Sequence, residues 1–176
     1  MATNIIIFHG TGCSSDFYWY PYIKENLEKR GYKVFVPNLP NPDEAKLEEW
    51  LSYVLNNLKI TKDTILIGHS AGSPLILSIL ENINFKIKQA ILVAGFLELD
   101  SNILQSSYNF EKIRSNVQDI IFINSVNDPW GCDDMQGRKM FDKLGGTLII
   151  NNEGHMGSTT YNQPYKEFPF LLNLIK

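Results

Sequence analysis

Thr64-Ile65-Leu66-Ile67-Gly68-His69-Ser70-Ala71-Gly72-Ser73-Pro74-Leu75-Ile76-Leu77 reads as three elements in succession. The apolar run Thr64 to Ile67 has the look of a buried strand, and the segment from Pro74 onward that of a helix. Between them lies Gly-x-Ser-x-Gly, a turn too tight for side chains at its first and last positions. A strand, this turn and a helix together form a nucleophile elbow, in which a strained backbone lifts the serine hydroxyl clear of the sheet. Gly68 and Gly72 therefore make steric sense, and Ser70 becomes the candidate nucleophile.

On either side of the elbow, strand-like and helix-like segments alternate. Strands are predicted at Ile5–Phe8, Tyr32–Val36, Thr64–Ile67, Gln89–Val93, Asp119–Ile123 and Thr147–Ile150. Helices are predicted at Tyr18–Arg30 (stopped by Gly31), Asp43–Leu58, Pro74–Leu80, Phe110–Asn116, Met135–Leu144 and Tyr165–Ile175, where Pro169 interrupts or delays the last. In the second helix Leu47, Leu51, Val54, Leu55 and Leu58 recur at helical spacing. Continuous apolar strands alternating with helices imply a parallel sheet covered on both faces. The 176 residues suit one domain with a substantial core, and neither a repeat nor a linker divides them. The longest irregular stretch, Gly95 to Asn109, is too short for a second domain.

Composition narrows the function. A net charge of −3 without a basic block argues against nucleic-acid binding. No stretch approaches the roughly 20 apolar residues of a membrane helix. Met1-Ala2-Thr3-Asn4 lacks the basic start of a signal peptide, so a cytoplasmic location is expected. Cys13 and Cys132 form neither a disulfide framework nor a metal-type spacing, and they read as small buried residues with free thiols. No metal or other cofactor is implied.

Ligands of open parallel sheets bind beyond the carboxyl ends of the strands. That rule gathers His9-Gly10-Thr11-Gly12, Ser70, Gly95-Phe96, Asn127-Asp128-Pro129 and Glu153-Gly154-His155-Met156-Gly157 at one edge. The order Ser70, Asp128, His155 is that of α/β-hydrolase triads. His155 would take the serine proton and Asp128 would orient and stabilise the imidazole. The backbone amides of Ala71 and Thr11 would hold the oxyanion. Asp100 is a rival acid, but it lies several residues beyond its strand while Asp128 follows its own directly. His69 suits packing or a hydrogen bond to a neighbouring loop, and His9 suits bracing of the oxyanion loop. Gly10, Gly12, Phe96, Trp130 and Met156 are candidate pocket residues, and Phe17, Tyr18, Trp19 and Tyr20 are expected mainly to pack the first helix.

Over nearly its whole length the chain resembles the α/β-hydrolases, and among them the small cap-less serine hydrolases. Beyond the elbow, the resemblance rests on Trp19-Tyr20-Pro21, on Leu39-Pro40-Asn41-Pro42 followed by Trp50-Leu51, on Ser125 to Pro129 and on Gly154-His155. It implies a compact three-layer α/β/α fold with a six-stranded parallel sheet in the order 2-1-3-4-5-6 and no cap domain, and the triad Ser70, Asp128 and His155. The first loop, His-Gly-Thr-Gly, is poorer in glycine than that group's pattern.

The expected activity is serine hydrolysis of a small ester, thioester or amide acyl substrate through an acyl-enzyme. Acyl transfer would use the same residues, and a weakly catalytic interaction module is the alternative. Nothing in the sequence points to a protein partner. A site without a cap is expected to be open and shallow.

Overall fold

The computed structural model describes residues 3–176, so Met1 and Ala2, part of the segment bearing on a signal peptide, lie outside it. The strands are β1 (Asn4–Phe8), β2 (Lys33–Phe35), β3 (Ile65–His69), β4 (Ile87–Val93), β5 (Val117–Ser125) and β6 (Thr147–Asn151). The helices are α1 (Tyr20–Lys29), α2 (Leu47–Asn57), α3 (Gly72–Asn82), α4 (Phe110–Ser115), α5 (Asp134–Leu144) and α6 (Pro169–Leu172). All pairings are parallel, in the order β2-β1-β3-β4-β5-β6, as expected.

That order fixes the layers. The crossover from β1 to β2 runs one way along the sheet and every later one runs the other way. Right-handed crossovers therefore place α1 on one face and α2 to α5 on the opposite face. The helix contacts agree: α2, α3, α4 and α5 touch in series, while α6 returns to pack on α1. The direction reverses between β1 and β3, so a crevice opens at their carboxyl ends. Phe8 pairs with Gly68 there, which puts the loop after β1 beside the turn after β3.

Local sequence explains the elements. Every residue of β3 is buried, as is every residue of α3 from Gly72 to Leu80, which accounts for their continuous apolar runs. Pro21 opens α1 near its N-terminus, where its missing N–H costs nothing. The Asp133 side chain caps α5 by accepting from the amides of Met135 and Gln136.

Two helices are shorter than the sequence predicts by more than a turn. The second begins at Leu47 rather than Asp43, because Ala45 takes φ +45° and breaks helical geometry ahead of it. The last spans only Pro169–Leu172: Tyr165 has φ +35°, and the proline can open a helix but not continue one. The helix after the elbow is longer than predicted and begins at Gly72.

Ser70 has φ +52°, an uncommon conformation for a residue with a side chain. A Cβ on Gly68 would fall on the Gly72 carbonyl, and one on Gly72 on the Phe8 carbonyl of β1. In both cases the obstacle is backbone, which cannot rotate away. Gly72→Ala should lower stability by on the order of 3 kcal/mol or abolish folding. Urea denaturation checks this, and a variant within about 0.5 kcal/mol of wild type would refute the steric account.

Candidate active site

The elbow is fastened before it is used. The Ser70 amide donates to the Val93 carbonyl at the end of β4 (2.9 Å), and the Ser73 hydroxyl donates to the Gly68 carbonyl (3.0 Å). Ser70 itself is half-buried and lines a cleft of about 600 Å³, a volume suited to a small organic ligand.

His155 and Asp128 meet as the sequence predicts. The Nδ1–H of His155 donates to Oδ2 of Asp128 at 2.7 Å, and the carboxylate is fully buried. Its other oxygen accepts from the Trp130 amide at 2.8 Å. With Nδ1 committed, Nε2 is the nitrogen left for chemistry, and it makes no hydrogen bond among the described residues. Ser70 and His155 line the same cleft. The rival acid Asp100 is exposed on the cleft wall, away from this pair.

Three loops hold His155 in place. Its amide donates to Oε1 of Gln163 (2.8 Å), and Ser158 and Gln163 close the loop with a two-way backbone bridge. The Gly154 amide donates to Oδ1 of Asn127 (2.9 Å), coupling the histidine loop to the aspartate loop. The Trp19 indole donates to the Met156 carbonyl (2.9 Å). Asn124, fully buried, donates from Nδ2 to the carbonyls of Gly95 and Cys132 and so ties the loops after β4 and β5 together.

The other two histidines are structural, and their tautomers follow from their partners. Nε2 of His69 faces the His155 carbonyl (2.8 Å), which can only accept, so it carries the proton. Nδ1 then accepts from the Tyr20 hydroxyl (2.7 Å), and the Tyr20 oxygen accepts from the Gly10 amide (3.4 Å). One chain of hydrogen bonds thus joins the loop after β1 to the backbone of His155. Burial, and secondarily the neighbouring His155, pushes the His69 pKa down from 6.5 to about 3. His9 accepts at Nε2 from the Leu39 amide (3.0 Å) and donates from Nδ1 to the Gly10 carbonyl (2.8 Å), while burial lowers its pKa as well.

The loop after β1 has its donors sorted. The Gly10 amide goes to Tyr20 and the Gly12 amide to the Pro42 carbonyl (2.9 Å). The amides of Thr11 and Ala71 bind nothing among the described residues. Leu39-Pro40-Asn41-Pro42 cradles this loop, and Trp50 steadies the cradle by donating to the Pro40 carbonyl (2.7 Å) and packing edge-on against His9.

Of the expected pocket residues, Gly10, Gly12, Phe96 and Trp130 line the cleft. Met156 does not: its side chain is fully buried, and its backbone at φ +53° turns it into the core, with the sulfur beside the Asn151 amide. Tyr18 takes a wall position through a hydroxyl bonded to the Thr159 amide. Leu99, Asp100, Ser101 and Asn102 line one wall. Residues 97–104 form a strap held at one end by Gln136, which bonds the backbone of Leu97 and Glu98, and at the other by Asn102, which bonds the backbone of Leu47 and Glu44. Cys13 and Cys132 are buried free thiols, and Cys132 lies beside Ser70, Asp128 and His155. Among the described residues, no helix is long and apolar enough to cross a membrane.

Comparison with known proteins places the chain in a family and agrees with its fold. A family model described as serine hydrolase matches residues 5–174. YdeN of Bacillus subtilis, a protein named as a hydrolase, is 31% identical over 137 residues, covering 73% of this chain and 72% of YdeN. The serine hydrolase RBBP9 of Rattus norvegicus is 26% identical over 171 residues, covering 90% of this chain and 89% of that protein. The crystal structure of the Bacillus subtilis ydeN product superposes with a TM-score of 0.90 at 25% identity, covering 98% of this chain and 96% of the other.

The buried histidines make stability depend on pH. His69 stays neutral in the fold down to about pH 3, whereas the unfolded chain protonates it near 6.5. The unfolded state therefore binds the extra proton, and stability falls as pH drops from 6.5 toward 3, by at most about 1.4 kcal/mol per pH unit for this group. His69→Gln should flatten that part of the slope in urea titrations between pH 7 and 4, whatever its absolute stability. Identical slopes in both proteins would refute the assignment.

Proposed function

The chain belongs to the serine hydrolase family, and on that premise we propose that it cleaves a small ester, thioester or amide through an acyl intermediate on Ser70. In this reading Nε2 of His155 takes the Ser70 proton as Oγ attacks the substrate carbonyl. Asp128 holds the imidazole in the required tautomer and stabilises its cation. The amides of Ala71 and Thr11 receive the oxyanion, where fixed donors are worth most because they need no reorganisation. His155 then returns the proton to the leaving group, and water, activated by the same imidazole, releases the acyl group. The balance of protons closes on the histidine, so the mechanism needs no cofactor.

The observation that carries the reading is the 2.7 Å pair between His155 Nδ1 and the fully buried Asp128, in the cleft that Ser70 also lines. An aspartate out of water beside an imidazole needs a strong partner, and the pairing leaves the other nitrogen free.

The test is intact mass after treatment with a fluorophosphonate probe. Wild type should gain one adduct and Ser70→Ala none. A folded wild type that gains no adduct would overturn the proposal and favour an interaction role for the fold. With cleft walls made of Tyr18, Phe96, Leu99 and Trp130 and no separate cap, short acyl esters should turn over faster than long ones. Rates on p-nitrophenyl acetate, butyrate and palmitate measure this, and a clear preference for palmitate would count against it.

A further inference from the structure

The Tyr20 hydroxyl stands between two loops of the cleft. Its side chain is fully buried at the start of α1. The hydroxyl meets Nδ1 of His69 at 2.7 Å and the Gly10 amide at 3.4 Å. Nε2 of His69 meets the His155 carbonyl at 2.8 Å. This chain of bonds has one possible direction. The carbonyl only accepts, so Nε2 donates and Nδ1 of the neutral ring is left as an acceptor. The Tyr20 O–H therefore donates to Nδ1, and its lone pairs face the Gly10 N–H, which can only donate. Reversing any link would set donor against donor or acceptor against acceptor, and burial makes such a mismatch costly.

The two ends of the chain lie beside the reacting groups. One end is the backbone of His155, the proposed base. The other is Gly10, which packs on the proposed nucleophile: a Cβ built on Gly10 would lie 3.0 Å from the Ser70 Cβ and 3.6 Å from its Oγ. Both polar groups of Gly10 are engaged, the N–H by Tyr20 and the carbonyl by Nδ1–H of His9 at 2.8 Å. The peptide joining Gly10 to Thr11 is planar and trans, so its N–H points opposite to its C=O. With that carbonyl drawn to His9, the Thr11 N–H is turned the other way. In the middle of the chain is His69, the residue next to Ser70. One run of bonds thus passes from the loop after β1, through the elbow, to the loop after β6.

We propose that Tyr20 is a positioning residue for the hydrolase reaction: acting through His69, its hydroxyl fixes the loop bearing Thr11 and the loop bearing His155 relative to each other about Ser70. Trp19 holds the next carbonyl of the histidine loop, that of Met156, and His9 holds the loop after β1 to Leu39, but the Tyr20–His69 pair spans both loops. The oxyanion and the transferred proton belong to one transition state but to different loops, so the two loops must be in register when the barrier is crossed. Misplacement by about 1 Å costs on the order of 100-fold in rate. The effect on rate rests on the proposed roles of His155 and the Thr11 amide; the coupling of the loops does not.

Tyr20→Phe removes one oxygen and keeps the ring, with its edge-on packing against Tyr18 and Trp19. Competent sites are counted by fluorophosphonate titration, and kcat and KM for p-nitrophenyl acetate are expressed per titrated site, so unfolded protein does not enter. In Tyr20→Phe kcat should fall by on the order of 10- to 100-fold with KM nearly unchanged. Affinity for a trifluoromethyl ketone, whose hemiketal oxyanion mimics the transition state, should fall by a similar factor. Asn116→Ala strips two buried hydrogen bonds far from the cleft, to the Leu80 and Ile83 carbonyls, and should lose stability but keep its kcat per site. His69→Gln retains one donor and one acceptor for the chain and should keep most of the rate, whereas His69→Leu retains neither and should lose as much as Tyr20→Phe; this pair decides the question if Tyr20→Phe does not fold. Wild-type kcat and ketone affinity in Tyr20→Phe, an equal loss in Asn116→Ala, or a glutamine variant no better than the leucine one would overturn the proposal. A wild type that never labels would instead defeat the hydrolase reading, and amide hydrogen exchange would still decide the coupling. The His155 amide bonds Gln163 and not Tyr20, so in Tyr20→Phe it should exchange faster together with that of Gly10 only if the loops are coupled; exchange at His155 unchanged from wild type would overturn it.

Discussion

The fold depends on one close approach: the backbone of α3 against the backbone of β1 and of its own preceding strand. Two missing side chains, at Gly68 and Gly72, let the chain leave β3, reverse at Ser70 and enter the helix within one turn. A wider turn would move α3 outward and open the central layer, where nearly every side chain of β3 and α3 is buried. The strain at Ser70 is thus stored where the surrounding structure over-determines it, held by the bond to the end of β4 and by the packing of α3. Core packing and the position of the Ser70 hydroxyl have the same cause.

Around the elbow, the supporting side chains mostly grip backbone. His69 holds the carbonyl of His155, Trp19 that of Met156 and Trp50 that of Pro40, while His9 grips the loop after β1 and the segment at Leu39. Because each is buried, a lost partner leaves an unsatisfied polar group as well as a looser loop. These aromatic and imidazole groups link three of the loops that converge on the cleft.

Much of this was legible in the sequence because it is local. Alternating apolar runs specify a parallel sheet, a Gly-x-Ser-x-Gly turn specifies the elbow, and aspartate directly after its strand outranks one several residues on. The strand order came through resemblance. What escaped was conformational or long-range. Ala45 and Tyr165 take positive φ, which nothing in their side chains announces, so the second and last helices were read more than a turn too long. Met156 was placed in the pocket by proximity to His155, but its own backbone turns it inward. Trp19 and Tyr20 were read as packing; their hydrogen bonds to Met156 and His69 span distances no periodicity encodes. Cys132 was read as an inert buried residue because a serine elbow leaves no role for a thiol nucleophile.

The strap of residues 97–104 carries a consequence for how such a protein diversifies. It is fastened by Gln136 and Asn102 to helix α5 and to the start of α2, not to the strands whose ends bear Ser70, Asp128 and His155. Insertions or exchanges there would reshape what the cleft admits while leaving Ser70, Asp128, His155 and their braces undisturbed. The wall of the cleft and the constellation behind it thus sit on separable pieces of the chain, and one can change without the other.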